Sequence, residues 1–136
     1  LGDDELKWEI ETSKETLEWI IGAPVTKFCY PRGRFDKIVK QAVMNAGFNY
    51  IRTTRVGNLK LPEDKYEIDT TMQLYPRKEY GDKSIMQMAK YYLENISKDG
   101  YFHLWGHSKE IEKLKLWDTF EEILQLLKHK YENIHT

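Results

Sequence analysis

The stretch DGYFHLWGHSKEIEK, residues 99–113, sets His103 and His107 four residues apart with Trp105 between them. A histidine titrates near neutral pH, so either ring can move a proton in a reaction or bind a metal. If the stretch is a strand, alternation puts Phe102 and Leu104 on one face and His103, Trp105 and His107 on the other. The first face suits packing under helices. The second would look into a barrel or cleft, with His107 at the open C-terminal lip. The structural alternative makes His103 a core histidine bonded to a neighbour, and His107 a cap or loop residue beside Ser108. The pattern alone leaves both open.

A second stretch, CYPRGRFD, residues 29–36, has different chemistry. Pro31 fixes φ and Gly33 permits a sharp or left-handed turn, so the chain can bend from strand to helix with its amides exposed. Exposed amides can hold an oxyanion. Arg32 and Arg34, beside a strand end, could hold an acidic or hydroxylated ligand. The plainer reading is a strand-to-helix connection with Asp36 in the first helical turn, where its charge suits the dipole. Cys29 is the one cysteine, which excludes an internal disulfide and most zinc-ribbon patterns. With no helix N-terminus immediately behind it, Cys29 reads as a small buried hydrophobe and not as a nucleophile. There is no G-x-S-x-G elbow and no Gly-rich phosphate loop.

These residues need elements to position them. Leu6, Ile10, Leu17 and Ile21 share a face, with Asp3 and Asp4 as caps and Gly22 as the stop, which predicts a helix over 4–21. VTKFCYP predicts a strand. Phe35, Ile38, Val39, Ala42, Val43 and Ala46 follow the helical spacing up to Gly47. FNYIRTT and KYEIDTTMQL predict two more strands. A helix marked by Ile85, Met88, Ala89, Tyr92, Leu93 and Ile96 follows, then the strand YFHLWGH. A last helix carries Trp117, Phe120, Leu124, Leu127 and Tyr131. About four parallel strands alternating with helices imply an α/β fold in a single domain, 1–136. In such folds ligands bind at the C-terminal strand ends.

Composition sets the bounds. The 136 residues are 40% hydrophobic, and 21 basic residues balance 22 acidic ones without a long block of either. This does not indicate a nucleic-acid partner. No run reaches the roughly 18 apolar residues of a transmembrane segment, and no signal peptide is visible. Because the chain begins LGDDELKWEI without methionine, the sequence leaves the compartment open, with a cytoplasmic setting favoured over others.

Taken together, FCYPRGRFDKIVKQAVMNAGFNYIRTTRVGN and YFHLWGHSKEIEKLKLWDTFEEIL closely resemble the C-terminal half of polysaccharide deacetylases. This is the family of the NodB homology domain, carbohydrate esterase family four. The resemblance runs from Leu6 to about Leu127. It implies a partial (β/α) barrel lacking its N-terminal strands. It also implies metal-dependent removal of acetyl groups from an N-acetylated poly- or oligosaccharide. The metal of the intact family, zinc or cobalt, is held by an aspartate and two histidines, with a second aspartate as base. Neither the T-F-D-D-G type motif nor the H-S/T-x-x-H motif occurs in these residues. The expectation is that both would precede residue 1 and that this chain by itself binds no metal and is inactive.

The family's R-P-P-Y-G type motif matches Cys29-Tyr30-Pro31-Arg32-Gly33. Cys29 stands for the arginine that positions the base, and Arg32 for the tyrosine whose amide meets the oxyanion. The fourth motif has no match in RTTRVGN. The fifth ends a late strand with the histidine that protonates the leaving amine; His107 matches it, with His103 the alternative. Around these two catalytic positions, Arg32 and His107, the resemblance has Tyr30, Pro31, Gly33, His103 and Trp105 contact the substrate. Missing strands would leave an exposed sheet edge that favours self-association. The competing expectation is a catalytically silent truncated relative acting as a glycan-binding or assembly module.

Overall fold

The computed structural model describes residues 2–132. Its contacts divide the chain into two compact units. One comprises the residues up to 54 together with 62–69; the other comprises 55–61 together with 70 onward.

In the first unit, helix α1 spans Asp3–Ile21. Asp3, Asp4 and Glu5 fill its first turn, where negative charge suits the helix dipole. They are not its cap, which is Gly2. Gly22 ends the helix at φ 71, its amide returning to the Glu18 carbonyl, a conformation that glycine adopts without penalty. Strand β1, Lys27–Cys29, pairs in parallel with β2, Tyr50–Arg52, in the register Phe28↔Ile51 and Cys29↔Arg52. Between them lie the 3₁₀ turn Pro31–Gly33 and helix α2, Lys37–Asn45. Asp36 caps α2, accepting from the Val39 amide at 2.9 Å, and so stands one step before the expected first turn. Ile10, Tyr30, Val43, Phe48 and Ile51 form the buried core, with Phe28, Phe35 and Tyr66 packed around it.

Cys29 is exposed. This corrects the buried position expected from its residue type. Phe28 and Tyr30 both pack with the core, and successive strand side chains point to opposite faces, so the residue between them faces out.

In the second unit, β3, Met72–Gln73, pairs in parallel with β4, Leu104–Trp105. Helix α3, Ile85–Asn95, opens with a full capping box between Ser84 and Gln87. Helices α4, Ser108–Lys113, and α5, Trp117–Glu132, follow β4. Met72, Leu74, Tyr80, Ile85, Met88, Ala89, Tyr92, Ile111 and Ile123 make the core of this unit, and Phe102 and Leu104 pack against it. All observed strand pairs are parallel, in two two-stranded sheets, and no closed barrel forms among the described residues. No helix among them is long and apolar enough to cross a membrane.

The expected third strand, 65–74, is shorter than its pattern. An isolated parallel bridge joins Ile68 to Arg52, and only Met72 and Gln73 form a strand. Between these points hydroxyls take backbone partners: Thr70 Oγ1 donates to the Arg55 carbonyl and Thr71 Oγ1 to that of Asn58. Such bonds compete with a regular ladder.

Candidate functional site

The residues singled out for chemistry fall in both units: Tyr30, Pro31, Arg32 and Gly33 in the first, His103, Trp105 and His107 in the second.

In the first unit the turn after β1 has unusual backbone geometry. Arg32 adopts φ 55, ψ 17 and Gly33 adopts φ 67. A left-handed arginine is uncommon and costs about 1–2 kcal/mol. Two hydrogen bonds fix it, from the Gly33 amide to the Tyr30 carbonyl at 2.9 Å and from the Arg34 amide to the Pro31 carbonyl at 3.1 Å. The Arg32 amide takes no part in closing the turn. Gly33 is pressed onto Thr54, beyond the end of β2. Tyr30 supports the turn from beneath. It is wholly buried, stacked on Phe35 at 4.1 Å, and its hydroxyl donates to the Tyr66 carbonyl at 3.1 Å. Its side chain therefore faces the core. Arg32 and Pro31 are exposed.

In the second unit β4 is bounded by the residues of interest. His103, just before it, accepts at its carbonyl from the Thr71 and Met72 amides, and its Nδ1 is hydrogen-bonded to the Tyr101 hydroxyl at 2.5 Å. Trp105 donates from Nε1 to Thr70 Oγ1 at 3.0 Å. It also lines a groove of about 420 Å³ with Phe102, Leu104, Trp117 and Phe120. His107 is exposed and is the N-cap residue of α4. Its carbonyl accepts from the Glu110 and Ile111 amides, but its side chain makes no capping bond. The ring stands edge-on to Trp105, centroids 5.7 Å apart at 87°. Of the two histidines, His103 is tied into local hydrogen bonds, whereas His107 presents its ring to solvent beside an indole. A ring so placed can exchange a proton with a bound molecule.

Sequence reasoning missed the supporting threonines. Thr70 and Thr71 are fully buried. Thr70 orients Trp105, and Thr71 Oγ1 accepts from the His103 amide at 2.9 Å. The one available signal was the paired threonines of DTT inside an otherwise strand-like run.

Past the carboxyl end of β3, Arg77 donates to Gln73 Oε1 at 2.7 Å and to both Glu79 oxygens at 3.2 and 2.7 Å. The guanidinium holds the Glu79 carboxyl down to about 2 from its ordinary 4.5. A carboxyl whose pKa is depressed on folding stabilises above its unfolded value and loses that contribution as pH falls toward the folded one. The window here is from 4.5 down to about 2, and the contribution is small because the pair is partly exposed. Carboxyl ¹³C titration should find Glu79 near 2 in the wild type and clearly higher in Arg77→Met, though still below 4.5 because its backbone hydrogen bond and Lys78 remain. An unmoved titration in the variant would show that the ion pair does not form in solution.

Among the described residues no three His, Cys, Asp or Glu side chains gather as a group that could hold a metal. No protein-family model, curated protein or solved structure matches the chain.

Proposed function

We propose that this chain is a C-terminal portion of a polysaccharide-deacetylase-like protein and that it engages N-acetylated glycan as part of amide hydrolysis. The observation that carries the reading is the placement of its two family-like motifs. CYPRG begins at the last residue of β1, and WGHS begins at the last residue of β4. Both are thus at carboxyl ends of parallel strands, where α/β folds hold ligands. Within the first unit, the Arg32 amide is left over by the bonds that close its turn, and an amide so exposed can hold an oxyanion. His107, solvent-facing on its helix cap, gives a proton to the departing amine nitrogen as the C–N bond breaks. Activating the attacking water would need the T-F-D-D-G and H-S/T-x-x-H type motifs of the resemblance, which do not occur in these 136 residues.

Binding by the chain itself tests this. Side-chain NMR signals of His107 and Trp105 should shift on adding an N-acetylglucosamine tetramer. The de-N-acetylated tetramer should bind about tenfold more weakly, a difference near 1.4 kcal/mol. Absence of shifts at both residues, or equal response to the two tetramers, would overturn the reading.

A further inference from the structure

The near-neutral charge of the whole chain hides an uneven distribution. Within Asp3–Ile21, helix α1 has seven acids against Lys7 and Lys14, whereas from Lys27 to Lys60 there are eight basic residues and one acid, Asp36. In the first unit part of this basic charge converges on one end of the β1–β2 pair. Cys29 is in register with Arg52, and the Tyr30 amide donates to the Arg52 carbonyl at 3.2 Å. Gly33 lies against Thr54, two residues past Arg52. Arg32, Arg34 and Arg52 therefore leave the backbone around the same carboxyl end.

These arginines differ in how they are held. Arg52 Nη1 donates to the Thr53 carbonyl at 3.3 Å. Arg32 and Arg34 are exposed, and no ion pair holds either among the described residues. Lys40 shows the contrast, bound to Asp64 at 2.7 Å and Glu67 at 2.8 Å. The acids of the adjoining segments are engaged as well. Asp36 caps α2, and Asp69 accepts from Thr53 Oγ1 at 2.6 Å.

We propose that Arg32 and Arg34 make this end of the first unit a binding site for the carboxylates of an acidic N-acetylated glycan. This rests on the glycan reading above and gives the ligand its charge class. The guanidinium fork matches a carboxylate in geometry and stays charged at any working pH. Solvent exposure makes the attraction modest and strongly salt-dependent. A nucleic acid fits less well. Tight polyanion binding neutralises many phosphates at once, and here the acidic α1 packs on α2 in the same unit.

Calorimetry with three probes tests the proposal: a neutral N-acetylglucosamine tetramer, a tetramer alternating N-acetylglucosamine with glucuronate, and a short thymidine oligonucleotide. At low salt the acidic tetramer should bind about tenfold tighter than the neutral one. That lead should nearly vanish at about 0.5 M salt. Arg34→Glu, checked for an unchanged melting temperature, should abolish the lead without altering neutral binding, and Arg34→Lys should keep most of it. Equal binding of the two tetramers overturns the anion site and leaves the glycan reading standing. An oligonucleotide that binds tightest overturns both. Failure of the acidic tetramer to bind at low salt, or its undiminished binding to a folded Arg32→Glu/Arg34→Glu chain, overturns the assignment to these arginines.

Discussion

Replacing Gly33 by alanine should destabilise the first unit by about 2–4 kcal/mol, combining a backbone and a steric cost. The residue sits at φ 67, where a Cβ is disfavoured by about 1 kcal/mol or more. That Cβ would also lie 1.9 Å from Thr54 Oγ1, 2.9 Å from Thr54 Cβ and 3.0 Å from its Cγ2. Turning the hydroxyl away relieves the first contact only. The Thr54 Cβ is fixed to the backbone, so the turn and the end of β2 must separate, with an overpacking cost of roughly 1–3 kcal/mol. The two contributions can be told apart by a mutant cycle. Thr54→Gly in the Gly33→Ala background should recover the steric part and leave about 1 kcal/mol for the backbone. Chemical denaturation of the four proteins measures this. A single variant within about 0.5 kcal/mol of wild type would mean that Gly33 and Thr54 are not in close contact in solution.

The turn that Gly33 permits was legible in the sequence; what it rests on was not. Pro31 and Gly33 announce a bend, but a contact with Thr54 arises only when β2 is laid beside β1. The same division runs through the rest of the chain. Helix positions were readable where apolar spacing and a stop agreed, as in the segment ending near Gly47. Strand lengths were not, because Thr70 and Thr71 look like strand residues yet spend their hydroxyls on loop carbonyls. Parity placed Phe102 and Leu104 toward a core, and both pack there. Applied to β1, it would also have turned Tyr30 inward and Cys29 outward, the latter against the expectation from residue type. For His107 the sequence left two readings, and its position is a helix cap with an open ring. Neither reading is excluded by that position, since a cap through the backbone leaves the imidazole available.

Tyr80→Phe should destabilise the second unit by about 2–4 kcal/mol, well above the 0.5–1.5 kcal/mol of an ordinary hydrogen bond. The reason is that one hydroxyl serves two backbone groups of a single strand residue. Tyr80 Oη accepts from the Gln73 amide at 2.8 Å and donates to the Gln73 carbonyl at 2.9 Å. Both residues are buried. Phenylalanine fits the same space but strands an amide and a carbonyl together, each at a desolvation cost of about 1–3 kcal/mol. The pH dependence gives an independent check. Burial pushes the Tyr80 hydroxyl up to about 12 from its ordinary 10.0. With the folded value above the unfolded one, the folded state holds the extra proton between them. The stabilisation is complete below 10.0 and is lost as pH rises toward about 12. Urea titrations at pH 8 and pH 11 should show a smaller loss in Tyr80→Phe than in wild type. Some loss should persist, because burial also raises Tyr92. Gln73 lies in register with Trp105, so loosening β3 reaches the strand that leads to His107. The variant should therefore broaden the Trp105 and His107 signals. A Tyr80→Phe protein with wild-type stability and unchanged spectra would show that water replaces the hydroxyl and that this network does not hold β4 in place.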